Sequence, residues 1–168
     1  MSGYGEKTFE GRVEQAWLDY NGHMNVGFYV VVFDKGTDGL FDFFGVGERA
    51  MKEHGETVFV LEAHVTYHKE LSLNQAFYIE TRLLGHDHNK LQYIHWMYDK
   101  ATDDLVATNE CLCLNVDVNS RRAKRFRAET LQRLAAFSEK HKDLPLPPDA
   151  AGRAIRQLGF PEEKTETG

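Results

Sequence analysis

The hydrophobic period changes once along this chain, and the change sets its fold class. From Val26 to Phe44, the positions Tyr29, Phe33, Gly36, Leu40 and Phe44 recur at spacings of three or four, the pattern of a helix with one buried face. Asn25 has the short polar side chain of an N-cap, and Gly45 has the conformational freedom of a C-terminal stop. Val30, Val31 and Val32 are poor helix formers. The helix therefore needs tertiary burial of its apolar face, which predicts a central, largely buried element.

After Gly55 the period falls to two. In "TVFVLEAHVTYHKEL" the residues Phe59, Leu61, Ala63, Val65 and Tyr67 alternate with Val60, Glu62, His64 and Thr66, so one strand face is apolar and the other holds a carboxylate and an imidazole. Three more strand-like runs follow, "QAFYIETRLLG", "KLQYIHWMYDK" and "DLVATNECLCLNVDV". They are joined by the turn-rich "HDHN" and "ATDD", which predicts a sequential antiparallel meander. "TFEGRVEQAW", residues 8–17, reads as a first strand, and "AETLQRLAAFSEKHK" as a second, amphipathic helix. The layout is α+β, with a long antiparallel sheet curled around the first helix. Neither face of the strand through Tyr93–Tyr98 is cleanly polar, so a dimer is expected to cover its outer side.

A chain of 168 residues suits one domain, here residues 1–142, with the Pro-rich and charged residues 143–168 as a poorly anchored tail. Apolar residues make up 42%, yet no run reaches the roughly 18 that a membrane span needs, and the N-terminus lacks an apolar signal core. A soluble cytoplasmic protein is expected. The net charge of −6 argues against general nucleic-acid binding. Within it, "SRRAKRFR" gathers Arg121, Arg122, Lys124, Arg125 and Arg127, either a solvated run at the foot of a helix or a patch for a small polyanion. Cys111 and Cys113 lack metal-ligand spacing and read as packing residues. His86 and His88 read as part of a solvated hairpin, so no metal site is expected.

The stretch "WLDYNGHMNVGFY" interrupts this apolar design with Asp19, Asn21, His23 and Asn25. It lies where a loop meets the start of the buried helix. Free N–H groups there, with the positive end of the helix dipole, stabilise a developing oxyanion. A carboxylate nearby attacks a carbonyl or activates water. Those are the parts of acyl transfer, but the same residues equally describe a capped loop that satisfies its own backbone.

The string "D-Y-N-G-H-M-N-V-x-x-Y", followed by "VLEAHVTYHKEL", resembles the hotdog-fold thioesterases of the 4-hydroxybenzoyl-CoA and acyl-carrier-protein type, over roughly residues 8–127. More narrowly, "WLDYNGHMN", "VFDKGTD" and "VLEAHVTYHKEL" resemble the betainyl-CoA thioesterases, found alone or fused to carnitine dehydrogenase.

The resemblance implies a helix wrapped by the sheet and a homodimer, or dimer of dimers, with active sites between subunits. It implies hydrolysis of an acyl-CoA to free acid and CoA, with no cofactor beyond the CoA of the substrate. Asp19 matches the loop carboxylate, Asn21 and His23 the residues that position water or substrate, and Asn25 the last polar residue before the helix. The N–H groups of Val26 and Gly27 would form the oxyanion site. Asp38, one turn beyond Asp34, and Glu62 beside His64 are alternative carboxylates. Arg121, Arg122, Lys124 and Arg125 match the place where relatives contact CoA phosphates. Trp17, Tyr20, Tyr29 and Phe33 are candidates for the acyl pocket, with Phe28, Tyr67 and Trp96 as further aromatics for a cationic acyl group. A catalytically silent acyl-CoA-binding hotdog protein and a hydroxyacyl-CoA dehydratase are the alternatives.

Overall fold

A computed structural model describes residues 3–146 and 151–152. Along the chain lie β1 (Glu6–Arg12), α1 (Val26–Phe44), α2 (Glu48–His54), β2 (Glu56–Tyr67), β3 (Ala76–His86), β4 (Lys90–Asp99), β5 (Leu105–Asp117) and α3 (Ala128–His141). The strands form one antiparallel sheet in the order β1-β3-β4-β5-β2. Its inner face holds α1, as the resemblance implies.

Local chemistry sets the bounds of α1. Asn25 Oδ1 accepts the Gly27 N–H at 2.9 Å, and Gly45 closes the helix in the left-handed conformation. Tyr29, Val32, Phe33, Gly36, Thr37, Leu40, Phe41 and Phe44 are buried, the predicted stripe widened by three residues. Close approach of α1 to β1 depends on Gly39, where an added Cβ would lie 2.3 Å from the Thr8 carbonyl oxygen. Deep between α1 and the sheet, Thr37 Oγ1 meets His95 Nε2 at 3.0 Å, and Thr81 Oγ1 meets His95 Nδ1 at 2.6 Å. Phe33 stacks on the same imidazole. Burial holds the His95 pKa down to about 3, so the ring is neutral and satisfies both hydroxyls. Cys111 and Cys113 are buried free thiols in the core around Leu40 and Tyr93.

Four features depart from the expectations above. β1 ends at Arg12, opposite Ala76, and residues 15–17 form a 3-10 turn. β3 begins at Ala76, and beyond Arg12 the pairing runs on only through Val13, whose N–H donates to the Gln75 carbonyl and whose carbonyl accepts the Asn74 N–H, both at 3.0 Å, while its side chain turns into the core. β3, β4 and β5 do form a meander, but β2 pairs with β5 at the far edge. Residues 68–75 make the crossing over three inter-strand spacings, roughly 14 Å. They pass the ends of β5 and β4, where the His68 and Lys69 N–H groups donate to the Val106 carbonyl and Gln75 Nε2 donates to Asp99. A bulge between Val60 and Glu62 breaks the β2 alternation, making Leu61 the extra residue and placing Phe59 opposite Leu114. α2, unanticipated, is bounded by Gly47 and Gly55 and bears the i,i+4 pairs Glu48–Lys52 and Arg49–Glu53.

The outer face of β4 needs no second copy. Ile94, Trp96 and Tyr98 are buried with Tyr78, and Tyr4, Leu84 and Leu105 pack against them. Tyr4 sits 6.0 Å from the Trp96 ring, and its N–H donates to Glu80 Oε2. The described start of the tail is anchored as well. Arg82 donates to the carbonyls of His141, Leu144 and Pro145, and the Gly152 N–H donates to Glu110. Residues 147–150 and 153–168 of the tail lie outside the described residues.

Candidate active site

The loop between β1 and α1 is a small closed hairpin. Leu18 bridges Met24, His23 bridges Ser72, and the Asp19 N–H donates to the His23 carbonyl at 3.0 Å. Asp19 Oδ1 accepts the Asn21 N–H at 2.8 Å, and Gly22 turns the chain with φ +80°. The Met24 N–H reaches the Leu71 carbonyl and the Asn25 N–H the Trp17 carbonyl, both at 2.8 Å. Two of the polar side chains that interrupt the buried segment do structural work, Asp19 closing the turn and Asn25 capping α1. Tyr20, at the tip, is 97% exposed.

This capped loop also forms one wall of a cleft of about 710 Å³. Asp19, Asn21, His23, Met24, Val26 and Tyr29 line one side, and Tyr67, His68, Lys69 and Glu70 line the other. One oxygen of Asp19 is committed to Asn21, which leaves the second for the cleft. His23 Nδ1 lies 3.2 Å from Glu70 Oε2. Asn25 spends its side chain on Gly27, so of the two expected oxyanion donors the Gly27 N–H is already occupied. The Val26 N–H remains as the first-turn donor at the cleft wall.

Tyr29 is 3% exposed, and its hydroxyl accepts the Leu71 N–H at 3.2 Å. Burial pushes its phenol pKa up, and the carboxylates of Glu70 and Asp19 act in the same direction. Tyr67 meets it edge-on, with ring centroids 5.4 Å apart at 84°. The other acyl-pocket candidates lie elsewhere. Phe33 is fully enclosed against His95, and the half-buried Trp17 stacks on Phe28 against the edge of the core cluster. Neither they nor Tyr20 line the cleft.

The alternative carboxylates are not brought to this loop within one chain. Asp38 lies on the exposed side of α1, roughly 18 Å along the axis from Val26. Partial burial raises its pKa, and neighbouring Asp34 and Asp42 add to the rise. Glu62 pairs with Leu112 and His64 with Glu110, whereas Ala63 pairs with core-facing Cys111. Glu62 and His64 therefore occupy the sheet face opposite α1, where they border a separate cavity with Gln92 and Glu110.

The basic run lies at the other end of β2, roughly 36 Å along the strand from Tyr67. Lys124 Nζ turns to the His54 carbonyl at 3.2 Å and to Asp117 at 3.5 Å. Arg121 lies over the Phe59 ring at 5.2 Å, while Arg122 and Arg125 are exposed. Arg127 is tied to buried Glu56 and to the Gly45 carbonyl. Tyr67 and Glu70 stand inside the string that carried the resemblance. What the string could not show was that the crossing after β2 returns Glu70 to His23.

Residues 13–134 match the thioesterase-like superfamily. The chain belongs to that superfamily. A betainyl-CoA thioesterase of Pseudomonas aeruginosa is 34% identical over 148 residues, 88% of this chain and 92% of the relative. An L-carnitine dehydrogenase/betainyl-CoA thioesterase of Rhizobium meliloti is also 34% identical; the match takes in 90% of this chain and 30% of that longer protein. A candidate thioesterase from Pseudomonas putida superposes with TM-score 0.79 at 29% identity, covering 92% of this chain and 98% of the other. A Staphylococcus aureus protein solved in complex with CoA superposes with TM-score 0.81 at 22% identity, covering 92% and 97%. The architecture is the hotdog fold of thioesterases, and the chain is a thioester hydrolase of this superfamily.

Proposed function

We propose that this thioester hydrolase cleaves a small, cationic acyl-CoA, with betainyl-CoA the leading candidate, to the free acid and CoA. The observation that carries the reading is the shared cleft wall, where Asp19 stands beside the first turn of α1. A thioester carbonyl set against the Val26 N–H has its developing negative charge stabilised by that donor and the helix dipole. The free oxygen of Asp19 takes a proton from water as the water oxygen adds to the carbonyl carbon. Collapse of the tetrahedral adduct breaks the C–S bond, and the sulfur leaves as the CoA thiol once protonated. Direct attack by Asp19, through an anhydride, uses the same position. His23 and Asn21 orient water or substrate. Protein groups alone perform these steps, and CoA enters as part of the substrate.

The catalytic unit in this proposal is a homodimer. β2 is an open sheet edge, and Val60, Leu61 and Tyr67 on it, with Val26, Val30 and Val31 on α1, are exposed apolar residues. Antiparallel pairing of two β2 strands would continue the sheet and cover these side chains. A two-fold axis near the middle of β2 would set the second copy's Arg121–Arg125 loop beside this chain's Tyr67. That places cations for the CoA phosphates at the mouth of the cleft.

Thiol release from a panel of acyl-CoAs, betainyl-CoA included, tests the reading. Asp19→Asn is expected to remove most of the activity. Undiminished release in that variant would remove Asp19 from the mechanism, and release no faster than background across the panel would end the hydrolase assignment.

A further inference from the structure

The thioesterase reading leaves open which residues choose the acyl group, and the following rests on that reading. The cleft has an unusual balance of charge. Asp19 and Glu70 both line it, while its single lysine, Lys69, is turned to Asp104 at 2.6 Å. Glu70 is largely exposed, and His23 Nδ1 lies 3.2 Å from its Oε2. The T-shaped pair of Tyr29 and Tyr67 lines the same cleft, with Tyr67 46% exposed. Acidic groups around aromatic rings disfavour an anionic acyl end and suit a cation.

The kind of cation follows from what the cleft offers. A quaternary ammonium has no N–H and cannot form a directional hydrogen bond. It gains instead from ring faces and from carboxylates at a distance. Its position follows from substrate length, because an ammonium on the α-carbon is two bonds from the thioester carbonyl. The subsite must then adjoin the oxyanion donor. The Tyr67 hydroxyl, 3.5 Å from the Val26 carbonyl, places that ring at the first turn of α1. Trp17, stacked on Phe28, Phe33, enclosed against His95, and Tyr20, at the loop tip, do not line the cleft and do not meet this condition.

We infer that Tyr67 and Tyr29, with Glu70 beside them, form the subsite that selects an acyl group bearing a quaternary ammonium next to the thioester carbonyl.

The test compares kcat/KM for betainyl-CoA with that for 3,3-dimethylbutyryl-CoA, its neutral carbon isostere. Shape and size are matched, so the ratio reports charge. Wild type is expected to prefer the cation by tenfold or more. Tyr67→Leu and Glu70→Gln should each pull that ratio at least threefold toward unity, and Tyr67→Phe should preserve it by keeping the ring. A wild-type ratio near unity, or a Tyr67→Leu variant that slows both substrates equally, overturns the subsite while thioester hydrolysis stands. Should no thioester be cleaved, the hydrolase reading falls separately, and calorimetry with glycine betaine decides the subsite. Binding weakened tenfold by Tyr67→Leu supports it, and absence of binding to wild type overturns it.

Discussion

Asp19 Oδ1 accepts the Asn21 backbone N–H at 2.8 Å, so the residue proposed to handle the proton also closes the turn that presents it. The two roles separate by substitution. Asp19→Asn keeps an amide oxygen in place for the Asn21 N–H but removes the carboxylate. Its folding stability should stay within about 0.5 kcal/mol of wild type while kcat falls by roughly 10²–10⁴. Asp19→Ala should lose the same activity and a further ~1 kcal/mol of stability, the worth of one such hydrogen bond. Thiol-release kinetics and urea denaturation of the two variants measure each part.

His95, neutral between Thr37 and Thr81, makes stability depend on pH. Its folded pKa, about 3, lies below the ordinary value of 6.5. The unfolded chain therefore binds the proton more readily, and this contribution is fully present above pH 6.5 and declines as pH falls toward 3. The slope from this one group approaches about 1.4 kcal/mol per pH unit. His95→Leu should cost roughly 2 kcal/mol at pH 7, because both hydroxyls lose their buried partner. It should also show a shallower loss between pH 6.5 and 5 than wild type. Urea unfolding at the three pH values checks this, and parallel slopes would contradict it.

How much was legible in the sequence depended on the range of the interactions involved. The ends of α1 could be placed because Asn25 and Gly45 act on their immediate neighbours. The β3–β4–β5 meander could be placed because short turns leave little choice of partner. The position of β2 at the far edge could not, since residues 68–75 fit either a turn or a crossing. The bulge at Leu61 was equally hidden, because it exists only relative to β5. The same distinction governs the cleft. Asp19, His23 and Asn25 stood out in one short string, whereas Glu70 and Tyr67 joined them only through the crossing. Phe33 is the opposite case, an aromatic at helical spacing whose ring lies in the core and outside the cleft.

Gly39 is a packing requirement that hydrophobic patterning does not reveal. A Cβ there would stand 2.3 Å from the Thr8 carbonyl oxygen, and a backbone atom of β1 cannot yield as a side-chain end does. Gly39→Ala should destabilise the fold by about 1–3 kcal/mol through overpacking, despite alanine's better helix propensity. Gly27→Ala, whose added Cβ would meet Asn25 Oδ1 at an ordinary 3.4 Å, is the control and should change stability by less than about 1 kcal/mol. Thermal unfolding of the pair checks the contrast.

The β2 edge and the basic loop give a prediction that joins assembly to substrate binding. Arg122 and Arg125 are exposed and lie roughly 36 Å from Tyr67 within one chain, too far to share its cleft. If pairing of β2 brings a second copy's loop there, Arg122→Ala with Arg125→Ala should raise KM for the CoA ester about tenfold. The same double variant should leave KM for an N-acetylcysteamine thioester, which lacks the phosphates, within twofold. Leu61→Lys, which places a charge on the open edge, should shift the chain from dimer to monomer in light scattering. It should raise KM for the CoA ester even though both arginines remain, because each monomer then keeps its cations at the wrong end of its own strand. A monomeric Leu61→Lys variant with unchanged KM would place the phosphate contacts within one chain and refute the shared site.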